Sequence, residues 1–177
     1  MKYVALIRGI NVGGNSMIKM ADLKKAFEKS GFTNVITYIN SGNVIFESDE
    51  KNIGKITSKL EADLSQTFYF DVHLVINSMD QLEKVVANVP DLWNKISDLR
   101  YYIAFIKEPL TPSQVIPEIE PKVDVDSVDI GPGVVYLSTK LSGLMKSGFT
   151  KLIAKKIYKN ITMRNFTTVR KILGLMK

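Results

Sequence analysis

The chain contains no cysteine, and only one histidine and one tryptophan, among its 177 residues. Without cysteine there is no disulfide, no thiol nucleophile and no cysteine-ligated zinc or iron–sulfur site, and this composition fits a reducing compartment. No apolar run reaches the ~18–20 residues that a membrane-spanning helix needs. The N-terminal run breaks at Arg8-Gly9, too early for a secretory signal. We therefore expect a soluble, cytoplasmic protein with no membrane partner.

Acidic residues are missing from the C-terminal region. Ten lysines and arginines but no Asp or Glu lie between Ser138 and Lys177, whereas the rest of the chain holds 14 basic and all 18 acidic residues. Such polarity bears on partners rather than on fold. It predicts a basic face for an anionic ligand or nucleic acid, unless the lysines neutralise acidic residues of their own domain. The predicted face consists of Lys146, Lys151, Lys155, Lys156 and Lys159.

Apolar periodicity predicts the order strand–helix–strand–strand–helix–strand in the first half of the chain. Lys2–Arg8 is an almost continuous apolar run, typical of a strand buried on both faces. Amphipathic stripes predict a helix at Met20–Ser30 and a second one from an N-cap at Asp49 to about Phe68. Ser41-Gly42 predicts a tight hairpin between two further strands.

The same order of elements recurs in the second half. Tyr101–Ile106 is again an apolar strand, and Thr111-Pro112 is typical of a helix start. The remaining predicted elements are a hairpin at Gly131-Pro132-Gly133, an amphipathic helix at Phe149–Tyr158, a strand at Ile161–Phe166 and a last helix capped by Thr168.

The repeated pattern predicts an α+β fold of two tandem ferredoxin-like (βαββαβ) halves with mainly antiparallel sheets. The predicted boundaries are residues 1–77 for the N-terminal half, 78–98 for a linking helix, and 99–177 for the C-terminal half plus a terminal helix. Both first strands are apolar on both faces, so we expect both faces of each sheet to be covered.

Three segments carry a resemblance to a known family. In chain order they are RGINVGG from Arg8, YINSGNVIF from Tyr38 and RNFTTV from Arg164. Together they resemble a bacterial family known only as a domain of unknown function, family 1697, and the resemblance spans essentially the whole chain. It implies a two-part ferredoxin-like fold and no particular activity. The family commonly has Trp where this chain has Phe166, which keeps an aromatic side chain there.

The loop from Gly9 to Ser16 approaches the phosphate-binding pattern G-x-x-x-x-G-K-[ST]. However, Asn15 replaces the required lysine, and the next helix starts too late for its N-terminus to face a phosphate. Both departures argue against a nucleotide hydrolase. The glycines, Gly13 and Gly14 in particular, predict either an amide-rich anion cradle or a sharp turn out of a buried strand.

Polar residues near this loop extend the candidate binding site. Arg8 ends an apolar strand, where a guanidinium usually has an anionic partner. This partner is either the carboxylate or phosphate of a ligand or an internal Asp or Glu. Asn11, Asn40, Ser41 and Asn43 could donate to the same ligand, although short polar residues also suit turns for local reasons. Arg164-Asn165 is a second donor pair, or else anchors a helix start.

Other chemically interesting residues receive structural interpretations. His73 has no Ser or Asp motif around it and is interpreted as a surface or packing residue. Asp124, Asp126 and Asp129 lack the glycine of a calcium loop and are expected on a solvated strand face. Tyr101 and Tyr102 are expected in the core, because the YYIAFI run lacks the pattern of RNA-binding sheets. The sequence predicts no metal and no cofactor.

Three functions remain open. The first is a module that binds an anionic ligand or nucleic acid through the residues above. The second is an enzyme on a small phosphorylated or carboxylated substrate, for which no base or nucleophile is visible and catalytic residues stay unassigned. The third is a protein-interaction or self-associating module, such as a homodimer formed through an open sheet face.

Overall fold

The computed structural model describes residues 1–14, 16–91, 93 and 96–177. The chain divides into two compact units. Unit 1 comprises Met1–Leu82 together with Lys171–Lys177, and unit 2 comprises Glu83–Arg170. The linking segment predicted at 78–98 includes Leu92, Asn94 and Lys95, which lie outside the described residues.

Unit 1 contains a four-stranded antiparallel sheet with the strand order β2-β3-β1-β4. Its elements are β1 (Lys2–Ile7), α1 (Met20–Lys29), β2 (Thr33–Tyr38), β3 (Asn43–Glu47), α2 (Ile53–Phe68) and β4 (Leu74–Ser78), followed by α3 (Met79–Ala87). The hairpin and both helices therefore form where the apolar periodicity predicts them. This is the strand order of a ferredoxin-like half.

Unit 2 repeats this topology with the strand order β6-β7-β5-β8, again antiparallel throughout. Its elements are β5 (Leu99–Ile106), α4 (Pro112–Val115), β6 (Asp126–Gly131), β7 (Val134–Lys140), α5 (Phe149–Leu152) and β8 (Ile161–Asn165), and α6 (Phe166–Met176) ends the chain. The α+β class with two ferredoxin-like halves is thus confirmed. Among the helices of the described ranges, none is both long enough and apolar enough to cross a bilayer.

The core of unit 1 forms where alternate residues of β1 meet the two helices. Tyr3, Ala5 and Ile7 pack in one cluster with Phe27 of α1 and Leu60 of α2. Burying one large apolar side chain, such as Ile7, Phe27 or Leu60, contributes about 1.5–3 kcal/mol. The other residues of β1, Val4 and Leu6, are buried as well. Both faces of the strand are therefore covered, as its unbroken apolar sequence predicts.

Unit 2 has its own core on the equivalent strand. Ala104 and Ile106 of β5 pack with Val115, Phe149 and Leu152. The other side of this strand is also buried, at Ile103 and Phe105. Side chains alternate between the two faces of β5 and β7, and one of these sets packs in this core. The core therefore forms on the strand equivalent to β1, as the repeated pattern predicts.

Two helix caps differ from the prediction. α2 begins at Ile53, and Asn52 rather than Asp49 caps it, with Asn52 Oδ1 accepting from the Lys55 N–H at 3.0 Å. Asp49 lies too far before the helix to reach its free N–H groups. α6 begins at Phe166 directly after β8, so Thr168 lies inside the first turn instead of capping it.

The amphipathic helix predicted at Phe149–Tyr158 is wrong in length. α5 ends at Leu152, and the chain continues through turns into a 3₁₀ helix at Lys156–Asn160. Phe149 and Leu152 are buried as predicted, whereas Ile153 is exposed. A ten-residue helix has little stability of its own, so the tertiary contacts of this segment determine its path.

Candidate functional site

Three strand ends meet at one edge of the sheet in unit 1. The N–H of Ile7, the last residue of β1, donates to the carbonyl oxygen of Gly42 at 2.8 Å on one side. The N–H of Arg8 donates to the carbonyl oxygen of His73 at 2.9 Å on the other side. Arg8 therefore leaves β1 between the tip of the β2–β3 hairpin and the start of β4. Sequence alone left this proximity open.

Asn11 fastens the glycine loop to the hairpin tip. Its Nδ2 donates to the carbonyl oxygens of Ile18 at 3.0 Å and of Asn40 at 2.9 Å, while its Oδ1 accepts from the Ile18 N–H at 2.7 Å. The Asn11 N–H also donates to the Ser16 carbonyl oxygen at 3.2 Å and closes the loop. The side chain thus builds the site through contacts with the chain itself.

The hairpin tip is held by local contacts. Asn43 is fully buried, and its Nδ2 donates to the Tyr38 carbonyl oxygen at 3.1 Å and to Ser41 Oγ at 3.0 Å. Gly42 has a positive φ of 73° and packs so closely on Ile7 and Ile10 that a Cβ would come within 2.9 Å of Ile10 Cδ1. Asn43 and Ser41 therefore stabilise the turn, and Gly42 lets it lie against the end of β1.

The glycines of the loop expose their backbone. Gly13 and Gly14 have φ values of 61° and 78°, and a Cβ on either would meet nothing within 4 Å. Within the described residues, neither glycine N–H makes a hydrogen bond. Asn15, which replaces the lysine of a phosphate-binding loop, lies outside the described residues. The amides of Gly13 and Gly14 are therefore available to an acceptor from solvent.

Arg164 and Asn165 belong to unit 2, at the end of β8. The Arg164 guanidinium is buried, and its Nη1 donates to Thr162 Oγ1 at 2.7 Å and to the Met163 carbonyl oxygen at 2.9 Å. Burial lowers the pKa of Arg164 to about 10, although Tyr158 acts in the opposite direction. Asn165 is exposed. The contacts of Arg164 anchor the junction between β8 and α6.

The predicted basic face separates into two groups of lysines. Lys151 Nζ lies 3.0 Å from Glu120 Oε2, and Lys155 Nζ lies 3.3 Å from Glu118 Oε2 and 3.0 Å from Glu120 Oε1. Hydrogen bonds from Lys151 and then Lys155 lower the pKa of Glu120. The remaining lysines are exposed and, within the described ranges, form no ion pair; they are Lys146, Lys156 and Lys159.

Comparison with known proteins places the chain in a family. The sequence profile described as "Protein of unknown function (DUF1697)" matches residues 1–136. The chain belongs to this family. Among solved structures, this DUF1697 protein is similar to "conserved bacterial protein SP0830 from Streptococcus pneumoniae", with 28% identity, a TM-score of 0.86, and coverage of 99% of this chain and 98% of that one. No curated protein matches the sequence.

The family match includes the strand ends, glycine loop and hairpin of unit 1, and it stops before the basic segment and Arg164. It therefore covers seven of the predicted ligand-binding residues, which the structure brings to one sheet edge. These are Arg8, Asn11, Gly13, Gly14, Asn40, Ser41 and Asn43.

Some contacts at the candidate site of this DUF1697 protein are visible only in the structure. At the same edge, Glu61 Oε1 accepts from the Leu74 N–H at 3.1 Å and lies 3.9 Å from Nδ1 of the half-exposed His73. Neither contact could be predicted from the sequence, because Glu61 lies in α2 whereas His73 and Leu74 lie at the start of β4. Among the described residues, no three His, Asp or Glu side chains come together to hold a metal ion.

Asp126 corrects the prediction of a solvated strand face. Its carboxylate accepts from the N–H groups of Lys122 and Gly148 and from Ser147 Oγ, each at 2.8 Å. Burial raises the pKa of Asp126, but these hydrogen bonds outweigh it and leave the pKa below its ordinary value. The carboxylate therefore ties the start of β6 to the residues that precede α5.

Proposed function

We propose that this protein binds a small anionic ligand at the edge of the unit 1 sheet where β1 ends. The observation that carries the proposal is the convergence of Arg8, the glycine loop and the hairpin tip on this edge, through the Ile7–Gly42, Arg8–His73 and Asn11–Asn40 hydrogen bonds. A guanidinium and open backbone amides, both carried by the residues that follow β1, are groups that recognise phosphate or carboxylate oxygens. We further propose that it acts in a reducing, cytoplasmic environment.

The charges around this edge support an anion. Residues 8–21 contain Arg8 and Lys19 but no Asp or Glu, and the hairpin residues 38–46 contain no charged side chain. The nearest carboxylate described above, Glu61, already accepts a hydrogen bond from the backbone of Leu74. An anionic ligand would thus meet N–H donors and no carboxylate from the glycine loop or the hairpin, whereas the β4 side of this edge carries Glu61 and Asp71.

The same geometry favours a small anion over a nucleic acid. A polynucleotide needs an extended row of cations, and two lysines of the basic face, Lys151 and Lys155, are bound to glutamates. An enzymatic function gains no comparable support. The 3.9 Å between His73 Nδ1 and Glu61 Oε1 is too long for the hydrogen bond that would orient a general base.

The experiment is an NMR titration of the ¹⁵N-labelled protein with inorganic phosphate and pyrophosphate. We expect saturable shifts of the Gly13 and Gly14 amide signals, and at least about tenfold weaker binding in Arg8→Met, since a charge-assisted contact is lost. The matched control is Arg100→Met, at an exposed position of β5 in unit 2, which should leave binding unchanged.

Two results would contradict the proposal. One is the absence of any saturable shift at the glycine loop with either anion. The other is unchanged affinity in Arg8→Met together with a stability loss of ~3 kcal/mol or more, which is typical of a broken buried ion pair. In that case Arg8 would be a structural residue.

A further inference from the structure

The proposed anion site is bordered by exposed aliphatic side chains. Val12, Met17 and Ile39 are 66%, 70% and 48% exposed. Large apolar side chains that are grouped and exposed mark binding surfaces more often than isolated ones do. Val12 and Met17 belong to one loop, whereas Ile39 lies in the hairpin, so only the fold can bring Ile39 near the other two.

The hydrogen bonds of Asn11 bring the backbones next to these residues together. Asn11 contacts Ile18 at 2.7 and 3.0 Å and Asn40 at 2.9 Å. Val12 follows Asn11, Met17 precedes Ile18, and Ile39 precedes Asn40 in the chain, so each exposed side chain is one residue, ~3.8 Å along the backbone, from this contact. The backbones of the three residues therefore lie around the polar centre that joins loop and hairpin, and their exposed side chains are called the apolar cluster below.

Ile39, one member of the cluster, has a strained backbone conformation. Ile39 has a positive φ of 46°, which is rare for a β-branched residue and costs roughly 1–3 kcal/mol. The turn is secured on both sides of it by the contacts of Asn11 with Asn40 and of Asn43 with Tyr38. The strain is thus maintained by the surrounding hydrogen bonds, and the side chain stays exposed to solvent.

We infer that the ligand is an anionic amphiphile, a phosphate or carboxylate attached to a single alkyl or acyl chain. Its head group binds at Arg8 and the amides of Gly13 and Gly14, and its chain packs on Val12, Met17 and Ile39. This inference rests on the proposed anion site and narrows its ligand. The charge pattern favours it, because Arg8 and Lys19 flank Val12 and Met17 in the sequence and no Asp or Glu lies within residues 8–21 or 38–46.

The test compares inorganic phosphate with butyl and hexyl phosphate, below their aggregation limits, by NMR titration of the full chain. Burial of one methylene corresponds to about fourfold in affinity, so we expect about two- to fourfold per methylene on this open surface. Equal affinities for all three ligands would overturn the amphiphile and leave the anion site intact. If none of them binds, both proposals fail.

A double variant, Val12→Ser with Met17→Ser, separates the chain contact from the head-group contact. It should keep the affinity for inorganic phosphate and lose most of the gain from butyl to hexyl phosphate. The matched control is Met145→Ser in unit 2, where the side chain is 97% exposed, and it should retain the full gain. If the double variant retains the chain-length dependence, the cluster is not the chain site.

Two further measurements distinguish other occupants of the cluster. If the protein binds vesicles of anionic phospholipid but not dissolved alkyl phosphates, the cluster binds a lipid surface and not a free amphiphile. Sedimentation equilibrium that shows a dimer in the wild type and a monomer in the double variant would assign the cluster to a second copy of the chain. Either result overturns the inference.

Discussion

At the scale of single residues, the candidate site depends on an asparagine and a glycine that do different work. Asn11 uses its whole amide group to connect Ile18 and Asn40, so it links the loop to the hairpin. Gly42 lets the hairpin tip approach Ile7 and Ile10 within van der Waals contact. The binding surface is therefore positioned by residues whose own polar groups are engaged in the fold.

Replacing Gly42 by alanine should reveal this close approach. The new Cβ would lie 2.9 Å from Ile10 Cδ1 and 3.0 Å from Ile7 Cβ, in a backbone with a φ of 73°. We expect a loss of about 2–4 kcal/mol, combining the strain of a positive φ with overpacking. The measurement is the free energy of unfolding from urea denaturation followed by circular dichroism.

The control for this change is Gly31→Ala in the same unit. Gly31 has a φ of 90°, yet a Cβ there would meet nothing within 4 Å, so only the backbone strain of about 1 kcal/mol remains. Equal losses in the two variants would show that the contact of Gly42 with Ile7 and Ile10 does not matter.

Residue types indicated the site, but their roles could not be read from the sequence. Arg8, Asn11 and the hairpin asparagines stood out because polar residues follow apolar strands. Whether an asparagine amide faces a ligand or a neighbouring carbonyl depends on contacts between segments that are 29 residues apart, as for Asn11 and Asn40. Local sequence patterns contain no information on such contacts.

At the scale of elements, the segment Leu141–Asn160 shows how tertiary contacts override helical periodicity. Asp126 accepts hydrogen bonds from Ser147 and Gly148 immediately before α5. A Cβ at Gly148 would overlap the Glu120 carbonyl oxygen, so this glycine packs directly on the backbone of Glu120. Lys151 and Lys155 then pair with Glu118 and Glu120. These attachments set the path of the segment, and the prediction of one continuous helix was therefore wrong.

The attachment to Asp126 should make the stability of unit 2 sensitive to acid. Its folded pKa is lower than its ordinary value of 3.8, so it stabilises the fold above pH 3.8 and loses this contribution as the pH falls through the folded pKa. Asp126→Asn should lose about 1–3 kcal/mol near neutral pH, because an amide cannot accept all three hydrogen bonds as a carboxylate does.

The measurement is the difference in unfolding free energy between wild type and Asp126→Asn at pH 7, 5 and 3. We expect the difference to shrink at the lowest pH, because below pH 3.8 the unfolded chain takes up a proton that the folded carboxylate resists. Asp129→Asn is the control, since Asp129 is exposed on the same strand. A difference that stays constant from pH 7 to pH 3 would rule out a role for the charge of Asp126.

At the scale of the whole molecule, the two units share one plan that the sequence predicted from repeated apolar patterns. The Lys107 N–H donates to the Asn160 carbonyl oxygen at 2.9 Å, in the same way that the Arg8 N–H donates to His73. The order of strands and helices in each unit was therefore predictable from periodicity and turn residues, whereas the proximity of the strand ends was not. The distribution of charge was not, because the glutamates at 118 and 120 neutralise lysines more than 30 residues further along the chain.

This distribution leads to a prediction about nucleic acids. Each phosphate contact contributes about −0.9 to the slope of log affinity against log salt concentration for duplex DNA. Lys146, Lys156 and Lys159 form no ion pair with the residues that the structure describes and would give a slope of about −2.7, whereas five phosphate-binding lysines would give about −4.5. We expect the shallower slope because the carboxylates at 3.0–3.3 Å from Lys151 and Lys155 repel phosphate. Fluorescence anisotropy with a labelled duplex between 50 and 200 mM salt measures it.

A matched pair of variants identifies which lysines contribute to that slope. Lys156→Gln should make the slope shallower by about 1, and Lys151→Gln should leave it unchanged. Both residues are exposed and lie in the same segment, so they differ mainly in whether a glutamate binds the ammonium group. If Lys151→Gln has the same effect as Lys156→Gln, the ion pairs open when nucleic acid binds. The C-terminal segment would then act as one continuous cationic surface for a polynucleotide.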